Sequence, residues 1–193
     1  MSALIVGTGC KNPINARTAA HYYDAGAAAE DRGDFILAHQ YYHRMFVNAR
    51  LGNLGPAAEA SSLYEWARVS GYLGKHEDVE WAFPKVLELI AKANGKADGL
   101  RAPALAEFAR YLHDTRQHGK VVSVFRAAVP ALEQGGAEKE DPVGFARFLD
   151  DYAESLKAVG RVGEADALSK QAASLRDAHP GVSPKYRPKR YPT

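Results

Sequence analysis

Two histidines, His39 and His43, lie four residues apart in a stretch with helical periodicity. At that spacing two imidazoles project from the same side of a helix, where they could both coordinate a metal ion. A stable site needs further ligands, and the sequence places no other His, Cys or carboxylate beside this pair. A histidine pair on a helix surface is therefore the preferred interpretation, and no metal site is predicted.

The single cysteine, Cys10, is compatible with two kinds of chemistry. A thiol nucleophile needs a base held beside it, and no base partner is identifiable for Cys10. Small and apolar residues precede it in Ala3–Cys10 and polar sequence follows, as at the end of a bacterial lipoprotein signal whose cysteine becomes lipidated. An exposed thiol in an N-terminal extension fits the same residues, so both interpretations stay open.

Sequence patterns of common catalytic and nucleotide-binding sites are absent. The patterns H-E-x-x-H, G-x-S-x-G and G-x-x-x-x-G-K-[ST] do not occur, although each is a frequent signature of metal, nucleophile or phosphate chemistry. The short stretch Gly7–Gly9 is poorly flanked for a phosphate-binding loop. We therefore expect a protein that is not an enzyme and that needs no cofactor.

The composition is that of a globular protein with little net charge. The 193 residues include 25 Lys and Arg against 23 Asp and Glu, a formal net charge of +2, and 46% are hydrophobic. Such a balance gives no basic field for nucleic acid. One cysteine excludes an intramolecular disulfide framework, and no run approaches the roughly 18 apolar residues that span a bilayer.

One motif, built around a short turn, occurs four times at separations of 41, 42 and 44 residues. A small residue stands seven positions before each turn anchor, and an aromatic ring, or serine in the last copy, stands nine positions after it. The anchors are Gly33, Gly74, Arg116 and Gly160, the small residues are Gly26, Ala67, Ala109 and Ala153, and the later residues are Tyr42, Phe83, Phe125 and Ser169. Small residues let two helices approach closely while a ring fills the groove beside them, so the motif predicts stacked helix pairs.

With these motifs the chain resembles the tetratricopeptide repeat (TPR) family, most closely over residues 26–42 and 160–165. The period exceeds the usual one of about 34 residues, and it is similar to the long-repeat type, of about 42 residues, found in kinesin light chains and many bacterial TPR proteins. The resemblance implies an all-α fold, a right-handed α-solenoid of about four TPR-like helix pairs with an extended C-terminal tail.

Three segments are predicted: an N-terminal extension over 1–17, the TPR-like solenoid over 18–178 and a basic, Pro-rich tail over 179–193. Prolines at 56, 103 and 142 are expected at helix starts, which tolerate proline. The predicted first helices of the pairs cover 18–32, 57–73, 102–117 and 143–159, and the second helices cover 34–50, 76–94, 119–134 and 161–178.

The resemblance also implies a partner-binding groove lined by the first helix of each pair. Arg68 and Arg110 occupy equivalent positions in adjacent repeats, where guanidinium groups suit a carboxylate of a bound peptide. Tyrosines beside them suit the apolar parts of the same peptide. The predicted groove residues are Tyr23, Tyr64, Arg68, Tyr72, Arg110, His113 and Lys157.

The last fifteen residues form a segment of different character. They carry four basic residues and no acid, and prolines at 180, 184, 188 and 192 prevent a helix. We expect an extended, largely solvated tail that contacts an acidic surface of a partner. Its predicted contact residues are Lys185, Tyr186, Arg187, Lys189, Arg190 and Tyr191.

These observations favour a non-catalytic scaffold that binds a partner protein or peptide in the groove, within a larger complex and without nucleic acid. The alternative is a lipid-anchored structural subunit or assembly factor of a bacterial envelope complex. Lipidation at Cys10 would place the protein on a membrane facing the periplasm, whereas a chain that truly starts at Met1 is expected in the cytoplasm.

Overall fold

The computed structural model describes residues 11–186 and 188–193, so Cys10 and Arg187 lie outside the described residues. Within them every element of regular secondary structure is a helix, and there is no strand. No helix in this part is long and apolar enough to cross a membrane. The helices are α1 (Pro13–Asp31), α2 (Phe35–Leu51), α3 (Pro56–Tyr72), α4 (His76–Lys92), α5 (Asp98–Asp114), α6 (His118–Gln134), α7 (Ala137–Glu140), α8 (Pro142–Ala158) and α9 (Val162–Ala178).

The four predicted turns each join two helices, and all four anchors adopt a left-handed backbone conformation. The φ angles are 76° at Gly33, 69° at Gly74, 57° at Arg116 and 79° at Gly160. Glycine adopts this conformation at no steric cost, whereas a side chain at Cβ is crowded there. Arg116 therefore follows the geometry of the other three turns at a local cost in energy.

Several predicted helix boundaries were wrong. Helix α1 begins at Pro13, five residues before the predicted start, because the Asn12 side chain accepts the Ile14 N–H at 2.9 Å and caps the helix. Pro103 lies inside α5, which begins at Asp98. Pro56 and Pro142 stand at the helix starts, as predicted.

The described residues fall into two compact units. The first holds the chain up to Leu73 together with Asp78–Ala97, and the second holds Gly74–Glu77 together with Asp98–Thr193. Helices α1, α2, α3 and most of α4 thus build the first unit, and α5 to α9 build the second, with the C-terminal tail.

The core of the first unit depends on a close approach between Gly26 and Tyr42. A Cβ added at Gly26 would lie 2.6 Å from a ring carbon of Tyr42, which is 2% exposed. Ala29 and Ala38, one on each helix of this pair, are fully buried. The first helix therefore needs a residue without a side chain where the ring of the second helix meets it.

In the second unit, aromatic rings fill the space between small residues. The Phe125 ring stacks on Tyr152 with centroids 4.9 Å apart and meets Phe148 edge-on at the same distance. Ala109 and Ala153, the small residues of the predicted motif, are buried. Ring pairs of this kind add stabilisation beyond the area that they bury.

We expect Gly26→Ala to lower the free energy of unfolding by about 1–3 kcal/mol, because the new methyl group overlaps the buried Tyr42 ring. Urea denaturation of both proteins measures the difference. Gly163→Ala is the matched control, since a Cβ there meets nothing within 4 Å and helical alanine is favoured over glycine by about 0.5–1 kcal/mol. Equal destabilisation by both substitutions would contradict the packing argument.

We expect Arg116→Gly to stabilise the protein by about 1 kcal/mol, because it relieves the left-handed strain at an exposed turn. That corresponds to a rise in Tm of roughly 2–4 °C, measurable by thermal unfolding followed by circular dichroism. Arg116→Ala keeps the Cβ and should leave Tm unchanged. A rise for alanine as large as for glycine would show that the arginine head group, not the backbone, carries the cost.

Candidate peptide-binding site

In the first unit, Arg68 of α3 holds two carboxylates of the same chain. It donates to Glu30 of α1 through both terminal nitrogens, one of them at 2.6 Å, and to Glu65 at 2.7 Å. Its side chain is only 15% exposed. Burial lowers the pKa of the guanidinium, but the bonds and charges of Glu30 and Glu65 outweigh it and raise the pKa above its ordinary value. Arg68 is thus a counter-ion that links α1 to α3.

The predicted groove tyrosines of the first unit pack largely against neighbouring rings. Tyr64 and Tyr72 are half-buried, with Tyr64 edge-on to Phe83 and Tyr72 edge-on to Phe35. Tyr23 is 45% exposed, so much of its ring faces solvent. Of the three, Tyr23 is the one most accessible to a partner.

In the second unit, Arg110 of α5 repeats the Arg68 arrangement more deeply. It donates to Glu107, one helical turn earlier, and the two residues are 8% and 3% exposed. Burial lowers the pKa of Arg110, while the negative charge of Glu107 raises it, and the net change is upward. The Arg110–Glu107 pair thus lies beneath the surface of α5.

The C-terminal tail folds back onto α5 and α8 and buries Tyr191. The Tyr191 side chain is 4% exposed, its hydroxyl donates to Glu107, and its ring lies edge-on to Tyr111 with centroids 5.5 Å apart. Its backbone N–H donates to Asp114 at 2.9 Å. Tyr191 therefore occupies a pocket on the first-helix side of the repeats.

Arg190 anchors the tail through a charged fork. Its two terminal nitrogens donate to the two oxygens of Asp151 at 2.9 and 3.1 Å, and one of them also donates to Asp114 at 2.9 Å. Asp114 and Asp151 are 7% and 17% exposed, whereas the Arg190 side chain is 55% exposed. Bidentate arginine–carboxylate bonds are among the strongest side-chain contacts, so Arg190 joins α5 to α8 from the outside.

Asp141, the residue that caps α8, holds the tail farther back. Its side chain accepts the N–H of Gly144 at 3.0 Å and that of Tyr186 at 3.1 Å. Burial raises the pKa of this carboxyl, but bonds from the backbone of Gly144, Tyr186 and Lys185 outweigh burial and hold the pKa below its ordinary value of 3.8. The Tyr186 ring also lies under the guanidinium of Arg110, 5.8 Å from its centroid.

Most described residues of the tail are exposed, as predicted, but the prediction missed that the tail is anchored to the helices. The tail is extended, as predicted, but Pro184 and Tyr191 are buried. The physical reason is a set of carboxylates on α5 and α8 that the sequence does not show as a cluster. Lys185 reaches Glu140 at 3.8 Å between two exposed side chains, and Lys189 is exposed.

A cavity of about 280 Å³ lies between the tail and the first helices of the second unit. Its wall combines apolar rings with charged groups of both signs, and three tail residues form one side. The residues that line it are Ala106, Arg110, Leu132, Ala137, Asp141, Gly144, Phe145, Arg147, Phe148, Asp151, Tyr186, Pro188 and Arg190.

His113, another predicted groove residue, belongs to a buried network. Its Nδ1 lies 3.0 Å from the hydroxyl of Ser155, and its Nε2 lies 3.6 Å from a carboxylate oxygen of Asp151. These are the residue types of a hydrolase triad, but Ser155 is fully buried and its hydroxyl donates to the backbone carbonyl of Asp151 at 2.9 Å. A nucleophile must reach its substrate, so the network holds α5 against α8.

The remaining predicted positions are more peripheral. Lys157 is half-exposed and lies 3.9 Å from Asp166 of α9. His39 lies 3.6 Å from Asp78, and His39 and His43 both pack against the Trp66 ring. Among residues 11–186 and 188–193, no three His, Cys, Asp or Glu side chains are grouped so that they could hold a metal ion.

Sequence reasoning missed the acids that organise both units, although a signal was present. An acidic residue stands nine positions before every turn anchor, and these residues are Asp24, Glu65, Glu107 and Asp151. Glu65 and Glu107 each pair with the arginine three residues later. The repeated acid, rather than the repeated arginine, was the better guide to the site.

Solved structures with this arrangement of helices are TPR-like repeat proteins. The crystal structure of BtubC (BKLC) from P. vanneervenii superposes with a TM-score of 0.72 at 16% identity, over 91% of this chain and 69% of that one. The fold is TPR-like. The structure of a putative kinesin light chain with nearly identical TPR-like repeats, from Podosopora anserina, gives a TM-score of 0.63 at 17% identity over 83% and 76% of the two chains.

The TPR-like fold confirms the predicted all-α class and the resemblance that the repeated motif indicated. Comparison with protein-family models and with curated protein sequences gave no match. At 16% and 17% identity the TPR-like neighbours show the fold alone. The second unit of this chain holds an extended segment, its own tail.

We expect acidification to weaken the tail contact at Asp141. The ionised carboxylate is the bound form, so its contribution is complete well above the ordinary pKa of 3.8 and is lost as the pH falls through the lower folded value. In Asp141→Asn the side-chain oxygen can still accept the Gly144 N–H and cap α8, but the side chain no longer titrates. Stability measured by urea denaturation should therefore fall more steeply below about pH 4 in the natural protein than in the variant. Parallel curves would contradict this assignment.

Proposed function

We propose that this protein is a non-catalytic scaffold that binds an extended segment of a partner protein along the first helices of its repeats. The observation that carries the proposal is the position of the tail. Tyr186, Arg190 and Tyr191 lie against α5 and α8, on the side that TPR-like folds use for peptides, and the backbone N–H groups of the two tyrosines are bound by carboxylates. A face that binds one extended segment has the chemistry to bind another.

The proposed contact surface has one part in each unit. In the first unit it consists of Tyr23, Tyr64, Tyr72 and the edge of Arg68, and in the second of Arg110, His113 and Lys157. Arg68 and Arg110 already neutralise carboxylates of their own chain. We therefore assign them to holding the acids in place, rather than to binding a free carboxylate of the partner.

Alanine substitution of these arginines is a poor test of binding. Removing one partner of a largely buried ion pair leaves a desolvated charge, which costs about 3–5 kcal/mol. A variant that no longer bound its partner would then have lost binding because it was unfolded, not because a contact with the partner was missing. Cross-linking from exposed positions leaves the buried pairs untouched and is the sharper experiment.

We expect a photo-reactive phenylalanine analogue, placed at Tyr23 or at Lys157 and irradiated in native cells, to form covalent adducts with another protein. Both side chains are accessible on first helices. Adducts are detected as shifted bands by gel electrophoresis and identified by mass spectrometry.

Gln40 and Lys170 are the matched control positions, because both are exposed on the second helix of a pair. They should give no adducts, or different ones of lower yield. Absence of protein adducts at Tyr23 and at Lys157, or equal adducts at all four positions, would overturn the proposed function.

The lipid-anchored alternative is supported by the residues that precede Cys10. It assigns the same scaffold to a bacterial envelope complex and adds an acyl anchor to it. An acylated mass at Cys10 in protein from the membrane fraction distinguishes this version from the unmodified scaffold.

A further inference from the structure

We infer that the α5–α8 face of the second unit is a recognition site for an extended, proline-flanked segment of another protein that contains Arg followed by Tyr, and that the chain's own tail is a tethered competitor for this site. The inference rests on the proposed function and adds to it the chemistry of the partner segment and a means of regulation.

The face is built to bind positive charge. Glu107, Asp114, Asp141 and Asp151 converge on the tail, and the cations that α5 and α8 contribute beside them are Arg110 and Arg147. Two of the acids are nearly inaccessible, since the exposed fractions are 3% for Glu107 and 7% for the Asp114 side chain. Carboxyl groups at such depth need a bound cation or hydrogen-bond donor, so an acidic partner segment is disfavoured and a basic one fits.

The pocket selects tyrosine among the aromatic residues. Tyr191 meets the ring of Tyr111 edge-on, and its hydroxyl donates to the buried carboxylate of Glu107. Phenylalanine would fill the same space but would leave that oxygen without its donor. Sites that hydrogen-bond a hydroxyl reject the analogue without it far more strongly than apolar pockets discriminate by size.

Arg190, the residue before the tyrosine, is bound by a second, adjacent pair of acids, Asp114 and Asp151. The Arg190 fork bridges Asp114 and Asp151 in a geometry that lysine cannot reproduce. Asp114 also accepts the N–H of Tyr191, which fixes the backbone between the two side chains. Prolines at 188 and 192 keep the segment extended before it binds, and this reduces the entropy lost on binding.

The occupant in competition with the tail is a different protein rather than a second copy. The tail is joined to α9 through residues 179–183, so its effective concentration at the site is in the millimolar range. A tail supplied by another copy has the same sequence and lacks this advantage. A foreign segment can exceed it through further contacts, for which the cavity beside Arg110 and Phe148 provides space.

The test uses the full-length chain and a labelled synthetic peptide with the sequence of residues 184–193, and reads binding by fluorescence anisotropy. In the double variant Arg190→Ala with Tyr191→Ala, the tail loses its side-chain bonds to Asp114, Asp151 and Glu107, which empties this part of the site. We expect the peptide to bind this variant at least tenfold more tightly than the natural protein, in which the tethered tail competes.

Two matched substitutions in the double-variant background test the site itself. Asp151→Asn should weaken peptide binding, whereas Asp150→Asn should not, because Asp150 pairs with Arg176 instead. A peptide carrying Tyr191→Phe should bind at least tenfold more weakly than the natural peptide. If circular dichroism shows that the double variant is unfolded, Arg190→Ala alone replaces it, since that side chain is largely exposed.

Equal peptide binding to the natural protein and the variant, or no binding to the folded variant, would overturn the inference. A dimer of the natural protein in size-exclusion chromatography that is lost in the double variant would assign the site to tail exchange between copies, and would overturn it as well. Adducts at Tyr23 together with a negative peptide result would leave the scaffold proposal standing and remove only this inference.

Discussion

Within each helix pair, two helices must approach closely enough to exclude water, and a small residue on the first helix makes this approach feasible. Gly26 shows the requirement at its limit, since the Tyr42 ring lies where its Cβ would be. Ala67, Ala109 and Ala153 occupy the equivalent positions and are buried. Because a single pair is too thin to cover its own apolar stripe, this contact also forces neighbouring pairs to stack.

Charge on the first-helix side follows from that stacking. Bringing first helices together places acids of successive repeats side by side, and each needs a counter-ion when it loses water. In the first unit, Arg68 supplies the counter-ion to Glu30 and Glu65. In the second unit, Arg110 serves Glu107, and the tail brings Arg190 to the remaining acids.

The buried acids of the two units therefore receive their counter-ions from different parts of the chain. An internal arginine is permanent, because it lies on a helix whose position the core determines. The tail is held by an exposed arginine and one buried tyrosine, which lie outside the small-residue contacts within the helix pairs. This difference is the physical basis for assigning exchangeable binding to the second unit.

Much of the fold was predictable from local residue types. Turn glycines, small residues and rings at constant offsets are local signals, and each acts through backbone conformation or the surface of one helix. Two helix starts were predicted less well. Helix α1 begins at Pro13 because the Asn12 side chain caps it there, and α5 begins at Asp98, so that Pro103 lies inside the helix rather than at its start. Arg116 adopts the turn geometry of glycine because the helices on both sides impose it.

The sequence by itself determined the helix pairs, their turns and which residues lie on the first helices. It did not determine what those side chains contact. Arg68 and Arg110 were predicted to bind a carboxylate of a partner. Instead, Arg68 donates to Glu30, 38 residues away along the chain, and Arg110 donates to Glu107, three residues away. The sequence also did not predict that Tyr191 of the tail contacts Asp114, 77 residues earlier in the chain. The Arg68–Glu30 pair and the tail contacts depend on distances that only the stacked helices establish, so the tertiary structure alone decided them, whereas the pairs of Arg68 with Glu65 and of Arg110 with Glu107 follow from a spacing of three residues on one helix.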